Sequence, residues 1–490
     1  MFKKSIFLLV ACFFISNCFS QETVAFISNF LKNKNGYLDK TIAIANPDNN
    51  NTSLFFIDGK RVYGFLINNE FEILDTLEIE DKERKYKEII GENVLFNNGY
   101  TFYLANNSRK QFARVSFSYE NNTSKFEELN LNLDNEKFLH TILYNNTVVI
   151  ITVQINTSNL HFYKFENSLV PEKNTVDLSQ IRFKNAKGKE SQLYDLLTEG
   201  TGDFNLNTVI SLVKISQNNP NTLETTSEFS KLYVHDNKVN FTFDEHKNFT
   251  QLVNINLDNY EYNFSQIDKP LLEVSEKKKK NNSFLYDDDL YFITATDEMI
   301  MLSKKNLYNS DAFKHHSAEA IDSIYFKNSP IIQTGVFYNN YRELEGTKKF
   351  LRKINKGNLG ITVYKNDVDF TISYGAVQEM KNSGGSFMMP GMGAGIPMAN
   401  FGAVSLFVNP LTFASSGYTI SKAVKIDALF DENFDHLGGF VPENIFDLIK
   451  DYNSENNIDT KGKIVFKHNE NYLLGHYDSW SRIYKLVKFK

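Results

Sequence analysis

Along the chain, apolar and polar residues alternate in short runs that break at two or three Asn, Asp or Gly residues and then resume. A period of two marks a strand with one buried face, and such breakers favour the tight primed turns that require positive φ. The cadence occurs in SLFFIDGKRVYGFLI from Ser53, NVLFNNGYTFYLA from Asn93 and TILYNNTVVIITVQ from Thr141. It returns in KLYVHDNKVNFTF from Lys231, SFLYDDDLYFITA from Ser283, GITVYKNDVDFTIS from Gly360 and KIVFKHNENYLLGHY from Lys463. A second strand pair usually follows, as in FARVSFSYENNTSKFEELNLNL from Phe112. Two hairpins make a four-stranded sheet, and the first turns lie about 40–50 residues apart, the length of one propeller blade.

The pattern therefore predicts a mainly β protein, a β-propeller of about six to eight blades, with tandem β-sandwich domains as the alternative. TIAIANP from Thr41 and SRIYKLVKF from Ser481 are the expected partners in a blade shared by the two chain ends. Longer gaps near 186–230 and 317–357 read as helical or irregular insertions between blades or on the rim. In the first of them, KESQLYDLLTEG sets Leu193, Leu196 and Leu197 on one helical face. VPENIFDLIKDYN predicts a further helix with Pro442 at its first position and Ile445, Phe446, Leu448, Ile449 and Tyr452 along one side.

The first 20 residues carry Lys3 and Lys4, an apolar run from Ile6 to Ile15 and a small polar exit. That is the pattern of a secretory signal peptide, too short in its core to span a bilayer. Cleavage before Gln21 is expected, leaving residues 21–490 as a single propeller-like domain. Lipidation at Cys18 is the alternative, weakened by Asn17 where a lipobox carries a small residue. The expected destination is the periplasm, with the cell surface or medium as the alternative.

Composition narrows the chemistry. The only cysteines, Cys12 and Cys18, lie in the leader, so a chain beginning at Gln21 has no thiol for a disulfide, a nucleophile or a zinc site. Losing Lys3 and Lys4, with no acid in the leader, takes the formal charge from −6 to −8. No basic face results, and nucleic acid is not an expected partner. Richness in Asn and Lys, little Pro and a leader ending in Ser-Gln resemble the style of secreted Bacteroidetes proteins; the resemblance names no family.

Candidate sites are few. A charge-free stretch between Lys381 and Lys422 contains SFMMPGMGAGIPMANFGAVSLF from Ser386, and its Gly/Met-rich loop at 382–400 is expected to project from one blade. Phe387, Met388, Met389, Met392, Ile396, Met398 and Phe401 are its candidate partner-binding residues, since methionine moulds to varied surfaces. An envelope protein or the outer-membrane surface is the candidate partner. The methionines are also soft enough for Cu(I), although no His or Cys stands near.

Asp287, Asp288 and Asp289 occupy a repeat turn and lack EF-hand spacing. His315 and Glu319 would share a helical face beside His316, and still fall short of the three protein ligands of catalytic zinc. EKKKKNN from Glu276 reads as a solvated loop. No G-x-S-x-G is present. His476, Tyr477, Asp478 and Trp480 near the last hairpin either pack the closing blade or line an axial mouth. No metal or cofactor is expected. The functional expectation is an exported, non-enzymatic binding protein, with a polysaccharide-active enzyme using paired axial carboxylates as the alternative.

Overall fold

The computed structural model describes residues 21–489 apart from 29, 33–37, 96–97, 167, 199–209, 271–278, 310–312, 335–340, 367–368, 378–422 and 459–461. The leader and the Gly/Met-rich loop with its seven candidate residues, Phe387 to Phe401, lie outside the described residues.

Among the described residues the strands form seven sheets of four or five strands, plus one two-stranded ribbon. Blade 1 runs Lys40–Ala45, Thr52–Asp58, Arg61–Ile67, Ile73–Ile79, each strand antiparallel to the one before. Blades 2, 3 and 5 repeat this meander from Tyr86, Glu136 and Lys280. First strands meet one another: Lys40–Ala45 lies against Tyr86–Leu95 and Ile464–His468, and Tyr86–Leu95 against Glu136–Tyr144. Fourth strands such as Ile73–Ile79 and Thr123–Asn132 are largely exposed. First strands therefore line an axis and fourth strands the circumference, the arrangement of a seven-bladed propeller.

Aromatic cores lock each blade to the next. Phe55 of blade 1 meets Phe102 and Phe117 of blade 2 at 5.2 and 4.9 Å between ring centroids. Phe112 stacks on Phe138 between blades 2 and 3. One continuous core joins blades 4, 5 and 6. Each fully buried Phe contributes about 1.5–3 kcal/mol, so these seams, rather than the turns, carry most of the stability.

The recurrent turns occupy equivalent places. In blades 2 to 7 the Asn/Asp hairpin joins the first strand to the second; only IDGK in blade 1 joins the second to the third. Asn98, Asn145, Asn146, Asp236, Asp287 and Asn469 take positive φ there, between 48° and 55°. Their side chains tie blades together: Asn98 Oδ1 accepts from Asn49 and Asn51 Nδ2 at 2.6 and 3.2 Å, and Asn93 Nδ2 donates to the Asn146 carbonyl at 3.1 Å.

Ring closure departs from the expected pairing. The last strand, Ile483–Phe489, pairs with Glu22–Ser28, which is the outer strand of blade 7. Thr41 to Ala45 instead pair within blade 1.

The two presumed insertions also have definite places. Helix α1 (Leu193–Thr198) buries Leu193, Leu196 and Leu197. Leu212–Ile215 adds a parallel fifth strand to the axial edge of blade 4, and the short helix α2 (Leu223–Thr226) follows it. This α2 packs on the first two strands of blade 6, so the segment lies toward the axis rather than on the rim. The outer edge of blade 6 is supplied by Ile331–Gln333 and Arg342–Leu344, which precede its first strand in the chain. Helix α3 (Thr347–Ile354) then buries Phe350, Leu351 and Ile354. Helix α4 (Ile445–Glu455) starts after Asn444, whose side chain caps the Phe446 and Asp447 N–H groups; Pro442 therefore stands before the cap and not at the first helical position. Its Phe446 and Ile449 pack on blade 7.

Gly360, on the first strand of blade 6, marks the closest approach of α2: a Cβ there would lie 2.8 Å from the Leu223 carbonyl oxygen. Gly360→Ala must push α2 or the strand aside, which costs about 1–3 kcal/mol. Guanidinium denaturation is expected to show that loss; an unchanged midpoint would mean that α2 is not seated tightly.

A candidate ligand cleft between blades 4 and 5

The facing sheets of blades 4 and 5 differ from the other seams in carrying polar residues across their width. In register on blade 4, Tyr233 pairs with Asn240, Asn240 with Asn254 and Asn254 with Asn263, so all four project from the same face. The next row holds Lys231, Thr242, Leu252 and Ser265. Tyr233, Leu252 and Ile267 share a buried core with Phe284 and Leu285 of blade 5, and beside that core the three asparagines put amides on the face of blade 4.

A cleft of about 390 Å³ opens there, on the side of the ring that carries the Asn/Asp turns. One wall is Asn240, Asn254, Asn263 and Ser265, and the other is Asp287, Asp288 and Tyr308. His235, Asp236 and Lys238 stand at one end, and Leu252, Ile267, Leu285 and Leu307 form apolar patches. His235 Nε2 lies 3.8 Å from Asp236 and 3.9 Å from Asp287. The wall loop is held by Leu307 N–H donating to the Asp288 carbonyl at 2.9 Å and Tyr308 N–H to Asn306 Oδ1 at 3.1 Å.

Hydrogen-bonding capacity remains open in the cleft. Asn240 is only 8% exposed, and its Oδ1 accepts from Asn254 Nδ2 at 2.6 Å. Among the described residues its own Nδ2 has no bonded partner. Asn263 and Ser265 likewise face the cleft without a side-chain partner among the described residues. Asn240 lies deep, Ser265 is half-buried and Asn263 is exposed, so the cleft presents donors and acceptors at graded depth that water or a ligand satisfies.

Above the cleft, Tyr233 closes the seam by accepting from Leu285 N–H at 3.2 Å. Beyond it lies a fully buried ionic network. Asp244 accepts from Lys231 at 3.0 Å, Ser283 at 2.8 Å and Thr250 at 2.6 Å. Lys269 donates to the carbonyls of Asp244 and His246 and to Asn281 Oδ1. Asn282 accepts from Lys231 at 2.6 Å and donates to backbone carbonyls of Thr226, Ser227 and Leu359, joining blades 4, 5 and 6 to α2. Burial pushes Asp244 up, but the two ammonium groups and its hydrogen bonds outweigh it and hold the carboxyl well below the usual range. Burial lowers both lysines against the pull of Asp244, Lys269 to about 8, where the Lys231 charge adds to the fall. Every partner is already engaged, which makes the network structural.

The other candidates are structural as well. Asp287 and Asp288 form the turn, whereas Asp289 pairs with Lys304 at 2.7 Å and accepts from Asn306. KHHSAE is a strand, Lys314–Glu319, not a helix. His316 bonds Tyr325 OH and the Phe434 carbonyl amid Phe326, Phe430 and Phe434. Among the described residues no three His, Cys, Asp or Glu side chains are placed to hold a metal ion. His476 and Tyr477 are buried in blade 7, and burial lowers His476 to about 4. Trp480, 97% exposed, sits in the turn between the second and third strands. Glu136 in blade 3 accepts from Lys173, Tyr163 and Thr152, with His161 Nδ1 2.7 Å away; burial pushes it up, yet these neighbours hold it at about 2.

No family model matches the chain, and no curated protein does. Solved structures similar to it include a prolyl endopeptidase, at 8% identity over 70% of this chain and 42% of that one, with a TM-score of 0.31. The chain thus spans less than half of that protein. The WD40 domain of SCAP from fission yeast matches at 8% identity over 92% of this chain and 82% of that one, TM-score 0.30. A hypothetical selenium-binding protein from Sulfolobus tokodaii matches at 9% identity, covering 47% and 55%, TM-score 0.26. With scores this low, the propeller rests on the chain's own sheet order and ring-closing pair.

Proposed function

We propose that this chain is an exported, non-enzymatic binding protein whose rigid propeller presents a small-ligand cleft between blades 4 and 5. The observation that carries the reading is the asparagine row Asn240, Asn254, Asn263, which lines the cleft beside the shared core and leaves amide groups open to it. Polar groups converging beside smaller apolar patches, in a cavity of this size, support a site for a polar ligand. The leader at residues 1–20 supports export to the cell envelope, with the periplasm as its site. No described helix is long and apolar enough to cross a membrane.

Native mass spectrometry of the purified protein, mixed with small-molecule extract of the envelope fraction, tests the reading. The wild type is expected to retain a non-covalent ligand, and the double variant Asn240→Leu, Asn254→Leu is expected to lose it. Replacing both amides of a bonded pair by apolar groups of like volume is close to neutral for stability, so melting should hold. Equal ligand retention by the double variant would overturn the cleft as the binding site.

A further inference from the structure

The geometry points to a neutral oligosaccharide as the ligand of the cleft between blades 4 and 5; this rests on the reading of that cleft as a binding site. A sugar hydroxyl donates one hydrogen bond and accepts others, so a vicinal pair is best met by a wall of donors facing a wall of acceptors. Blade 4 offers the Asn240 Nδ2 donor, the Asn263 amide and the Ser265 hydroxyl. Blade 5 offers Asp287 and Asp288, which when ionised only accept. An extended row of amides across three strands suits a chain of similar rings better than a single compact group.

Sugar rings also have apolar C–H faces. Tyr308 stands 68% exposed at the lip of the cleft, and its side chain makes no hydrogen bond among the described residues. Leu252, Ile267, Leu285 and Leu307 supply further apolar area in the same cleft. Carboxylates, amides and a hydroxyl beside an aromatic ring and leucines form an amphipathic lining, matching a ligand whose edges are polar and whose faces are not.

Charge narrows the class. Asp236, Asp287 and Asp288 face one lysine, Lys238, and His235. Phosphorylated or uronate-bearing sugars would meet net repulsion at the acidic wall. A metal ion is disfavoured because no three metal-capable side chains converge among the described residues. A basic peptide would satisfy the acids and meet the amide row through its backbone, but it lacks the apolar ring faces that suit Tyr308 and the leucines, and it is kept as a separate arm of the test.

Isothermal titration with neutral di- to hexasaccharides of glucose, xylose and mannose tests the inference, with oligogalacturonate, a lysine-rich peptide and calcium chloride as separate arms. At least one neutral saccharide is expected to bind, with affinity falling about tenfold in Asn263→Leu, whose lost hydrogen bonds leave sugar hydroxyls unmet, and falling also in Tyr308→Ala. Both residues are exposed, so these variants fold irrespective of the deeper row. Binding confined to the acidic saccharide, peptide or calcium arm would overturn the inference, as would saccharide binding untouched by both substitutions. If no saccharide binds while native mass spectrometry still finds a cleft-dependent ligand, the ligand class falls and the cleft stands. If neither is found, both fall.

Discussion

Deleting residues 21–28 is expected to open the ring, lowering the guanidinium midpoint sharply and turning a dispersed protein into self-associating species on size-exclusion chromatography. The strand Glu22–Ser28 supplies the outer edge of blade 7, pairing along Ile483–Phe489. Its one fully buried side chain, Ile27, shares a core with Leu38, Leu54, Phe56, Leu473 and Tyr484. Phe56 and Tyr484 meet across the closing seam at 4.6 Å between ring centroids. Loss of the strand removes a whole ladder of hydrogen bonds and bares an unpaired edge, which recruits other chains. The single substitution Ile27→Asp tests the same seam without shortening the chain, because a carboxylate placed in that core has no partner and costs several kcal/mol. A synthetic peptide of residues 21–30 added to the deleted chain is expected to restore the midpoint in part. A deletion variant as stable and as dispersed as the full chain would show that the ring is not held by this pairing.

That strand also shows where sequence reading failed. Thr41 to Ala45 is the expected closing strand because it lies near the start of the chain, and it is buried, but as a first strand at the axis. An outer strand covers the sheet on one edge only, so ETVAFIS keeps a single fully buried position and gives a weak alternation. The hairpin of blade 6 was legible from Gly360, but its outer strands were not: they have three residues each, too few to show a period. The turns were legible because their signal is local. Asn and Asp tolerate the left-handed backbone that a two-residue hairpin demands, and the chain puts them where φ is positive. KHHSAEA misled because its spacing permits a helix, whereas pairing with Met299–Asn306 fixes it as a strand.

The cleft had no comparable signal. Asn240, Asn254 and Asn263 are separated by 13 and 8 intervening positions and become neighbours only through strand register. In a chain so rich in asparagine, nothing in the composition marks these three. Of the cleft residues, the sequence singled out only Asp287 and Asp288, and as turn formers. That role is correct, and the cleft uses the same turn as a wall. The buried lysines were equally hidden, because Lys231 opens a strand whose pattern is otherwise that of every repeat hairpin.

Asp244→Asn is expected to destabilise the protein by about 3–5 kcal/mol, the range for breaking a buried ion pair from one side. The substitution leaves Lys231 and Lys269, both fully buried, without the anion they share. Lys269 keeps its carbonyl acceptors, whereas the Lys231 ammonium retains only Asn282 as an acceptor among the described residues. Restoring neutrality nearby should therefore recover much of the loss, and Lys231→Met added to Asp244→Asn is expected to be more stable than Asp244→Asn alone. The pH dependence has a definite sign. A carboxyl held below its unfolded value of about 4 contributes stability that is complete above that value and is lost as pH falls through the folded one. Wild-type stability, measured by denaturant titration at pH 7, 5, 4 and 3, should fall along this acid limb, and the Asp244→Asn curve should be flatter over the same range. Parallel curves would mean that the Asp244 carboxyl titrates alike in the folded and unfolded chains, so that the two lysines do not stabilise its charge, and a wild-type curve that falls less steeply than the Asp244→Asn curve on the acid side would mean that it is protonated when folded.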